Sequence, residues 1–285
     1  MLRRRKKDQR DERRPRAPRG GRFARPTPEP AAAPVSRRRA RAPVPPELLI
    51  RSEPPRAKLD EHRSRKSVKS GETVLVTGFD PFAGEQLNPS WEICRQLEGV
   101  VIDGARVVAC KVPCEFRRAI EAVAEAIERH QPALVISFGQ AGGRAQMSVE
   151  RVAINVDDAR IADNAGSRPI DEPIAADGPA AYFATLPVKA MARAMREANV
   201  PAQVSNTAGT YVCNHVMYGV LHFLAGKGDP ARAGFIHVPY AEEQVLDRPA
   251  MPALSLATMV RGARAAIEAA LRHATDIRVP EGTLD

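Results

Sequence analysis

Short apolar runs alternate with segments of helical periodicity between residues 73 and 273, and this alternation is the strongest constraint on the fold. Nearly every position of each run is apolar, as in strands that are buried on both faces of a sheet. The predicted strands are residues 73–77, 106–112, 133–137, 147–156, 202–206 and 234–238. The predicted helices are residues 89–97, 115–129, 180–198 and 254–273, and one that begins near residue 213. We therefore expect an α/β fold, a three-layer α/β/α sandwich around a mostly parallel sheet.

The first seventy residues differ in composition from the rest of the chain. They hold 23 Lys and Arg against 8 Asp and Glu, whereas the remaining residues hold 20 against 26. They also contain 11 of the 25 prolines and almost no apolar periodicity. Such a segment buries too little surface to offset its chain entropy. We therefore predict a disordered basic Arg/Pro-rich tail over residues 1–70 and a single α/β/α domain over residues 71–285.

Three interpretations of the tail remain open. It is a solvated extension, a product of an upstream start codon chosen in error, or a basic segment that contacts nucleic acid. Its acidic residues disfavour a transit peptide, and no apolar region follows the charged start as it does in a secretory signal.

The cysteines and the hydropathy exclude several classes of protein. The chain has four cysteines, without disulfide-scaffold spacing, and Cys110 and Cys114 lack the second pair that a zinc site requires. No apolar run reaches the roughly 18 residues of a membrane-spanning helix. We expect a cytoplasmic protein with free thiols, no metal or other cofactor, and no membrane partner.

Cys213 lies where a turn of small residues, 207–210, gives way to the predicted helix. The first turn of a helix has unpaired N–H groups, and its dipole favours negative charge. A cysteine at such a place tends to have a lowered pKa, and the thiolate is the reactive form. The alternative is that Cys213 is a small buried hydrophobic residue, as most free cysteines are.

A thiolate nucleophile needs a base, and two histidines are candidates. His215 is two residues from Cys213, so on a helix their side chains point to different sides. His237 ends the apolar run 234–238, and the carboxyl ends of strands are where open α/β sheets build their sites. We therefore predict His237 as the base, the alternative being a hydrogen-bonded structural histidine.

Four segments resemble one known family. The segments 207–215 (T-A-G-T-Y-V-C-N-H) and 234–240 (G-F-I-H-V-P-Y) are similar to the two signature segments of pyroglutamyl peptidase I, the pyrrolidone-carboxylate cysteine peptidases. Segments 78–91 and 139–155 resemble the same family. The resemblance covers about residues 73–275. It implies an α/β/α cysteine exopeptidase that hydrolyses the bond after an N-terminal pyroglutamyl residue, and often a tetramer.

The resemblance also assigns residues. Cys213 matches the nucleophile, His237 the base and Glu150 the acidic member of a triad, in which a carboxylate orients the imidazole. Without the resemblance, a glutamate next to an arginine, as Glu150 is next to Arg151, is typical of a solvated ion pair. The oxyanion is expected to bind the backbone N–H of Cys213, with Arg160 as a candidate side-chain donor.

The pocket for the neutral, compact pyroglutamyl ring is expected to be apolar with a few lactam partners. The residues that match it are Phe79, Phe82, Asn88, Gln140 and Tyr211. The two phenylalanines also suit the core, and Asn88 also suits a helix cap. Two further readings of the chain remain. One is a catalytically idle relative that acts as a binding module, and the other is a nucleic-acid-associated protein that acts through its tail.

Overall fold

The computed structural model describes residues 71–282, so the predicted tail over residues 1–70 lies outside the described residues. The strands of this part of the chain are β1 (Thr73–Phe79), β2 (Val101–Ile102), β3 (Ala105–Val112), β4 (Leu134–Gln140), β5 (Met147–Glu150), β6 (Val152–Ile154), β7 (Ala181–Phe183), β8 (Ala202–Ser205), β9 (Arg232–Val238), β10 (Tyr240–Ala241) and β11 (Ala253–Leu254). The helices are α1 (Pro89–Leu97), α2 (Arg118–His130), α3 (Val188–Glu197), α4 (Val212–Lys227) and α5 (Leu256–Arg272), with a short 3-10 helix at Glu242–Val245.

The central sheet has seven strands in the order β2-β3-β1-β4-β9-β5-β8. Strands β3, β1, β4 and β9 run parallel to one another, and β2 is an antiparallel edge strand. Strand β5 is antiparallel to β9, and β8 is parallel to β5. The predicted mostly parallel sheet is confirmed.

Helices cover both faces of the sheet. Val74 and Val76 of β1 belong to the core under α1, α3 and α5, whereas the intervening Leu75 belongs to the core under α2 and α4. The alternation of β1 between two apolar cores explains why its sequence is apolar at successive positions. Fully burying one such aliphatic side chain stabilises the fold by about 1.5–3 kcal/mol. The three-layer α/β/α arrangement expected from the sequence is confirmed.

The single helix predicted over residues 180–198 is wrong in its first half. Residues 181–183 form β7, which pairs antiparallel with β6, and the helix begins only at Val188. Pro187 occupies the N-cap position of α3. Proline lacks an N–H and is tolerated at the start of a helix, but it disfavours helical geometry in the residue before it. The proline therefore separates a strand from a helix.

The single strand predicted over residues 147–156 divides into two. Residues 147–150 pair within the main sheet as β5, and residues 152–154 pair with β7 in a separate two-stranded sheet. The apolar positions Val149 and Val152 are three residues apart, which breaks the period of two that one continuous strand requires. The break leaves Glu150 as the last residue of β5.

Two strands extend beyond their predicted ends. Phe79 and Gln140 close β1 and β4, whereas the sequence predicted loops from Gly78 and Gly139 onward. Phe79 pairs with Val112, and Gln140 pairs with Val238. The neighbouring strands continue and offer hydrogen-bonding partners, so glycine does not end the ladder here. Gly139 thus becomes a strand residue beside β9.

No helix within residues 71–282 is both long enough and apolar enough to cross a membrane.

Candidate active site

Cys213 is the second residue of α4, and the start of this helix is not capped by a side chain. Tyr211 occupies the N-cap position, and its side chain makes no capping hydrogen bond. The N–H groups of the first helical turn have no partner within the helix. They lie at the positive end of the α4 dipole, beside a half-buried thiol.

The Cys213 thiol lies directly over β4 at Gly139. A Cβ atom added to Gly139 would lie 2.8 Å from Cys213 Sγ and 2.6 Å from the ring of Phe235. Real Cβ atoms do not approach other atoms so closely, so the position accepts only glycine without a shift of its neighbours. Gly139 is the register partner of His237 in the parallel β4–β9 pair. Neighbouring strands are about 4.8 Å apart, so the thiol and the His237 imidazole share one small region of the α2/α4 face.

His237 is oriented by a buried carboxylate. Its Nδ1 lies 2.8 Å from Glu150 Oε1, and the Glu150 side chain is fully buried. Glu150 is opposite Phe235 in the antiparallel β5–β9 pair, so it projects from the same face as His237 two residues along. No other described residue hydrogen-bonds the second ring nitrogen, Nε2. The imidazole therefore has one nitrogen engaged and one without a hydrogen-bond partner within residues 71–282.

Arg144 also contacts the Glu150 carboxylate, and the sequence analysis did not identify it as a site residue. Its Nη1 donates to Glu150 Oε1 over 2.7 Å, and its Nη2 donates to the Thr207 carbonyl over 3.3 Å. The sequence feature that could have pointed to Arg144 is its position between β4 and β5, six residues before Glu150. Distance along the chain alone does not show which carboxylate it pairs with.

Burial raises the pKa of the Cys213 thiol, opposite to the predicted direction. The neighbouring Cys114 and the Glu150 carboxylate raise this pKa further, and Arg144 lowers it. Desolvation is the largest of these effects, and it disfavours the charged thiolate. The neutral thiol is therefore the resting form of the free site, and a base has to accept its proton.

His215 lies on the same helix but is held in a different set of contacts. Its Nδ1 lies 2.7 Å from Asp157 Oδ2, and its Nε2 accepts the Arg117 N–H over 2.8 Å. Because Nε2 accepts a hydrogen bond, the ring proton is on Nδ1, and this N–H donates a hydrogen bond to Asp157. Both ring nitrogens are occupied, and the side chain is buried.

Several aromatic rings pack in the same apolar core as Cys213, on the α2/α4 face. The Phe79 and Phe235 ring centroids are 6.3 Å apart, and the Phe235 ring is 4.9 Å from the His237 ring. Phe82 packs 6.1 Å from Tyr211, whose hydroxyl donates to the Ala162 carbonyl over 3.1 Å. Phe79 is almost fully buried, whereas Phe82 and Tyr211 are half-buried.

Asn88 and Gln140 have structural partners for their side chains. Asn88 Oδ1 accepts the Ser90 N–H over 3.1 Å and caps α1, and Asn88 Nδ2 donates to the Asp80 carbonyl over 3.0 Å. Gln140 alternates with Gly139 along β4, so its side chain projects to the α1/α3/α5 face. There its Oε1 accepts Gln244 Nε2 over 2.9 Å. Only the backbone of Gln140 adjoins the Cys213 face.

Arg160 and Asp163 lie in the polar loop 157–177. Arg160 is exposed, and within residues 71–282 it makes no hydrogen bond or ion pair. Asp163 is buried, and its carboxylate accepts the N–H groups of Phe116, Ala165 and Ser167 over 2.7–2.9 Å. Asp163 therefore fixes the loop against the turn before α2, which leaves Arg160 at the surface.

Comparison with known proteins agrees with this geometry. The family model described as pyroglutamyl peptidase matches residues 72–273. The pyrrolidone-carboxylate peptidase of Cupriavidus taiwanensis is 59% identical over 213 residues, which cover 74% of this chain and 99% of the relative. That of Yersinia pestis is 51% identical over 211 residues, covering 74% and 98%.

Solved structures show the same likeness. The crystal structure of pyroglutamyl peptidase I from Bacillus amyloliquefaciens has a TM-score of 0.71 and 45% identity, covering 72% of this chain and 100% of that one. Pyrrolidone carboxyl peptidase from Thermococcus litoralis has a TM-score of 0.71 and 38% identity, covering 73% and 99%. The family match spans most of the chain and includes the Cys213, His237 and Glu150 cluster, so this chain belongs to the pyroglutamyl peptidase family of cysteine peptidases.

Proposed function

We propose that the chain is an exopeptidase that removes an N-terminal pyroglutamyl residue, with Cys213 as nucleophile, His237 as base and Glu150 as the orienting carboxylate. The observation that carries the proposal is the buried His237–Glu150 pair at 2.8 Å, whose second ring nitrogen has no partner within residues 71–282, on the sheet face against which Cys213 packs. Family membership supports the same conclusion.

In the first half of the reaction, His237 Nε2 accepts the proton of the Cys213 thiol, and the thiolate attacks the carbonyl carbon of the pyroglutamyl residue. The negative charge that forms on the carbonyl oxygen is stabilised by N–H groups at the start of α4, with Arg160 as a further candidate donor. One such donor is typically worth about 3 kcal/mol. The imidazolium then gives its proton to the leaving amine, and the C–N bond breaks to leave a thioester on Cys213.

In the second half, His237 Nε2 accepts a proton from water, and the resulting hydroxide attacks the thioester carbonyl. The C–S bond breaks, free pyroglutamate leaves, and the proton on His237 returns to the Cys213 sulfur. Glu150 stays ionised throughout and stabilises the imidazolium in both halves. The proton transfer is needed because burial raises the pKa of the Cys213 thiol.

The pocket chemistry suits a neutral ring. Phe79, Phe82 and Tyr211 lie on the face that carries Cys213 and supply apolar contact area. Gln140 and Asn88 are proposed to contribute to lactam recognition through the backbone and loop that their side-chain bonds hold in place. The substrates are therefore proposed to be peptides with an N-terminal pyroglutamyl residue.

The direct test is release of a chromophore from a pyroglutamyl amide, compared with prolyl and alanyl amides. The pyroglutamyl amide should be cleaved and the other two should not. Cys213→Ser should lower activity to near background while leaving the circular dichroism spectrum unchanged, because a serine hydroxyl is a much weaker nucleophile. Cys110→Ser is the matched control and should stay active. Equal cleavage of all three amides would contradict the proposal, and a folded chain without turnover would favour the idle-relative alternative.

Residues 71–285 are proposed to contain the whole catalytic domain, assembled as a homo-oligomer, by resemblance a tetramer, in the cytoplasm. Deleting residues 1–70 should leave kcat/KM and Tm nearly unchanged, because that sequence lacks core-forming apolar residues. Light scattering of the deleted form measures the assembly. If the full chain binds nucleic acid through its tail, the deletion should abolish salt-sensitive binding and spare hydrolysis.

A further inference from the structure

The Glu150 carboxylate is held unevenly. Its Oε1 atom receives two donors, His237 Nδ1 at 2.8 Å and Arg144 Nη1 at 2.7 Å. Its Oε2 atom is buried and has no hydrogen-bond partner among the described residues. A carboxylate with both donors on one oxygen depends on both of them for its orientation. The loss of either would allow the group to turn toward the remaining donor.

Arg144 connects this carboxylate to the nucleophile. The guanidinium is planar and presents its donors in a fixed fork. One arm reaches Glu150 at the end of β5, and the other reaches the carbonyl of Thr207, in the turn that leads to Cys213. The Glu150 side chain is 0% exposed and that of Arg144 is 27% exposed. An ion pair with one fully buried partner is not screened as a surface pair is.

We propose that Arg144 is a positioning residue of the reaction, which holds the Glu150 carboxylate against His237 and fixes the turn that presents Cys213. The proposal rests on the function proposed above. The guanidinium bonds Glu150 and the Thr207 carbonyl. Arg144 is therefore proposed to act through these two groups and is assigned no contact with the substrate.

The charges around the site give the expected sign of a pH effect. The titratable and charged groups that interact with the thiol are Cys114, Glu150, Arg144 and Tyr211, and of these Arg144 lowers the pKa of Cys213. Removing the guanidinium charge leaves a buried carboxylate beside the thiol without its cation, which disfavours the thiolate further. This moves the pH dependence of thiolate formation to higher pH.

The first experiment measures steady-state rates and the alkylation of Cys213 by iodoacetamide between pH 5.5 and 9.5. Arg144→Met keeps the aliphatic stem without the charge. We expect kcat to fall by roughly 10- to 100-fold with KM nearly unchanged, as for a small misplacement of catalytic groups. The acid limb of kcat/KM and the alkylation profile should both move to higher pH. Arg144→Lys restores a charge without the fork and should recover part of the rate and most of the pH profile.

The second experiment is a double-mutant cycle with Glu150→Gln. If Arg144 acts through Glu150, Arg144→Met should cost less in the Glu150→Gln background than in the wild type, because only its contact with the Thr207 turn is then left to lose. Losses that multiply, or an Arg144→Met protein with wild-type rates and pH profile, would overturn the proposal. If Arg144→Met does not fold, the same cycle with Arg144→Lys decides. Arg272→Met is the control, because it removes an arginine at the end of α5 that pairs with Asp103 and Glu268, away from the site.

The alkylation of Cys213 can be measured without substrate turnover, so the proposed function and the proposed role of Arg144 can fail separately. A wild-type chain without thiol-dependent cleavage contradicts the proposed function. An active wild type whose Cys213 alkylates identically with and without Arg144 contradicts only the role of Arg144.

Discussion

Two buried carboxylate–imidazole pairs lie on the same face of this protein, and only one of them leaves a ring nitrogen without a partner within residues 71–282. The Glu150–His237 pair has an Nδ1–Oε1 distance of 2.8 Å, and the Asp157–His215 pair has an Nδ1–Oδ2 distance of 2.7 Å. Both histidines and both carboxylates are buried. Bond length and burial therefore do not distinguish the two pairs.

The difference lies at the other ring nitrogen. His215 Nε2 accepts the backbone N–H of Arg117, so it has no capacity to accept a proton without breaking that bond. His237 Nε2 has no such partner within residues 71–282, and His237 is the register partner of Gly139, over which the Cys213 thiol lies. A buried acid–histidine pair is thus a common structural unit. It becomes a base only where its second nitrogen is left open beside a proton donor.

The two carboxylates also differ in their surroundings. Glu150 has the Arg144 cation on the same oxygen that orients His237. Asp157 Oδ1 is buried without a hydrogen-bond partner, and within residues 71–282 the Asp157 carboxylate bonds only His215, through Oδ2. The Asp157–His215 pair instead connects the loop 157–177 to α4, and through the Arg117 N–H to the start of α2. Its function in the molecule is to hold that loop in place.

The largest expected effect separates the two histidines. His237→Ala should lower kcat by about 10⁴-fold or more, because it removes the proton acceptor of both half-reactions. His215→Ala should retain far more activity but should lower the free energy of unfolding by about 3–5 kcal/mol, because it leaves the Asp157 carboxylate buried without its partner. Rates on the pyroglutamyl amide and chemical denaturation measure the two effects. A folded, fully active His237→Ala protein, or a folded but inactive His215→Ala one, would reverse the assignment of the base.

The next effect compares the two acids. Glu150→Gln preserves volume but removes the charge that stabilises the imidazolium, so kcat should fall by about 10²- to 10⁴-fold, less than in His237→Ala. Asp157→Asn should keep most of the activity and lose stability, seen as a lower Tm. Equal kinetic losses in the two variants would show that both pairs serve the reaction.

A smaller effect is expected at the strand beneath the thiol. The methyl group of Gly139→Ala would lie 2.8 Å from Cys213 Sγ, so the sulfur has to move, and kcat should fall by roughly 10- to 100-fold. Gly226→Ala in α4 is the matched control. A Cβ atom there meets nothing within 4 Å, and alanine should stabilise the helix by about 0.5–1 kcal/mol without changing the rate. Unchanged kinetics in Gly139→Ala would show that the sulfur tolerates displacement.

The smallest effect concerns the resting thiol. Burial raises the pKa of Cys213, so its alkylation should accelerate as the pH rises through the neutral and alkaline range, where the thiolate fraction grows. At pH 7, His237→Ala should lower the rate of Cys213 alkylation by iodoacetamide roughly tenfold, because proton transfer to His237 supplies the thiolate. His215→Ala should leave this alkylation rate unchanged. A rate already at its plateau at pH 6 would indicate a preformed thiolate and a lowered pKa.

Local sequence patterns were sufficient for the layers of the fold and less so for the boundaries of its elements. Successive apolar residues identified β1, β4 and β9 because a strand buried between two helical layers needs an apolar side chain on each face. The strands at Phe79 and Gln140 ran past their predicted ends because partner strands continued beside them. The helix predicted from residue 180 failed because a proline at its middle and a partner strand, β6, outweighed local helical periodicity.

The sequence by itself determined the family, and it predicted Cys213 as nucleophile and His237 rather than His215 as base, because these follow from motif order and from the spacing of side chains along a helix. Only the tertiary structure decided that Arg144 shares an oxygen with His237, that Gly139 leaves room for the thiol, and that the Cys213 pKa is raised rather than lowered. The physical reason is the same in each case. These properties depend on which groups from distant strands, loops and turns come within a few ångströms, and on how much water they exclude, and neither is encoded in any one stretch of residues.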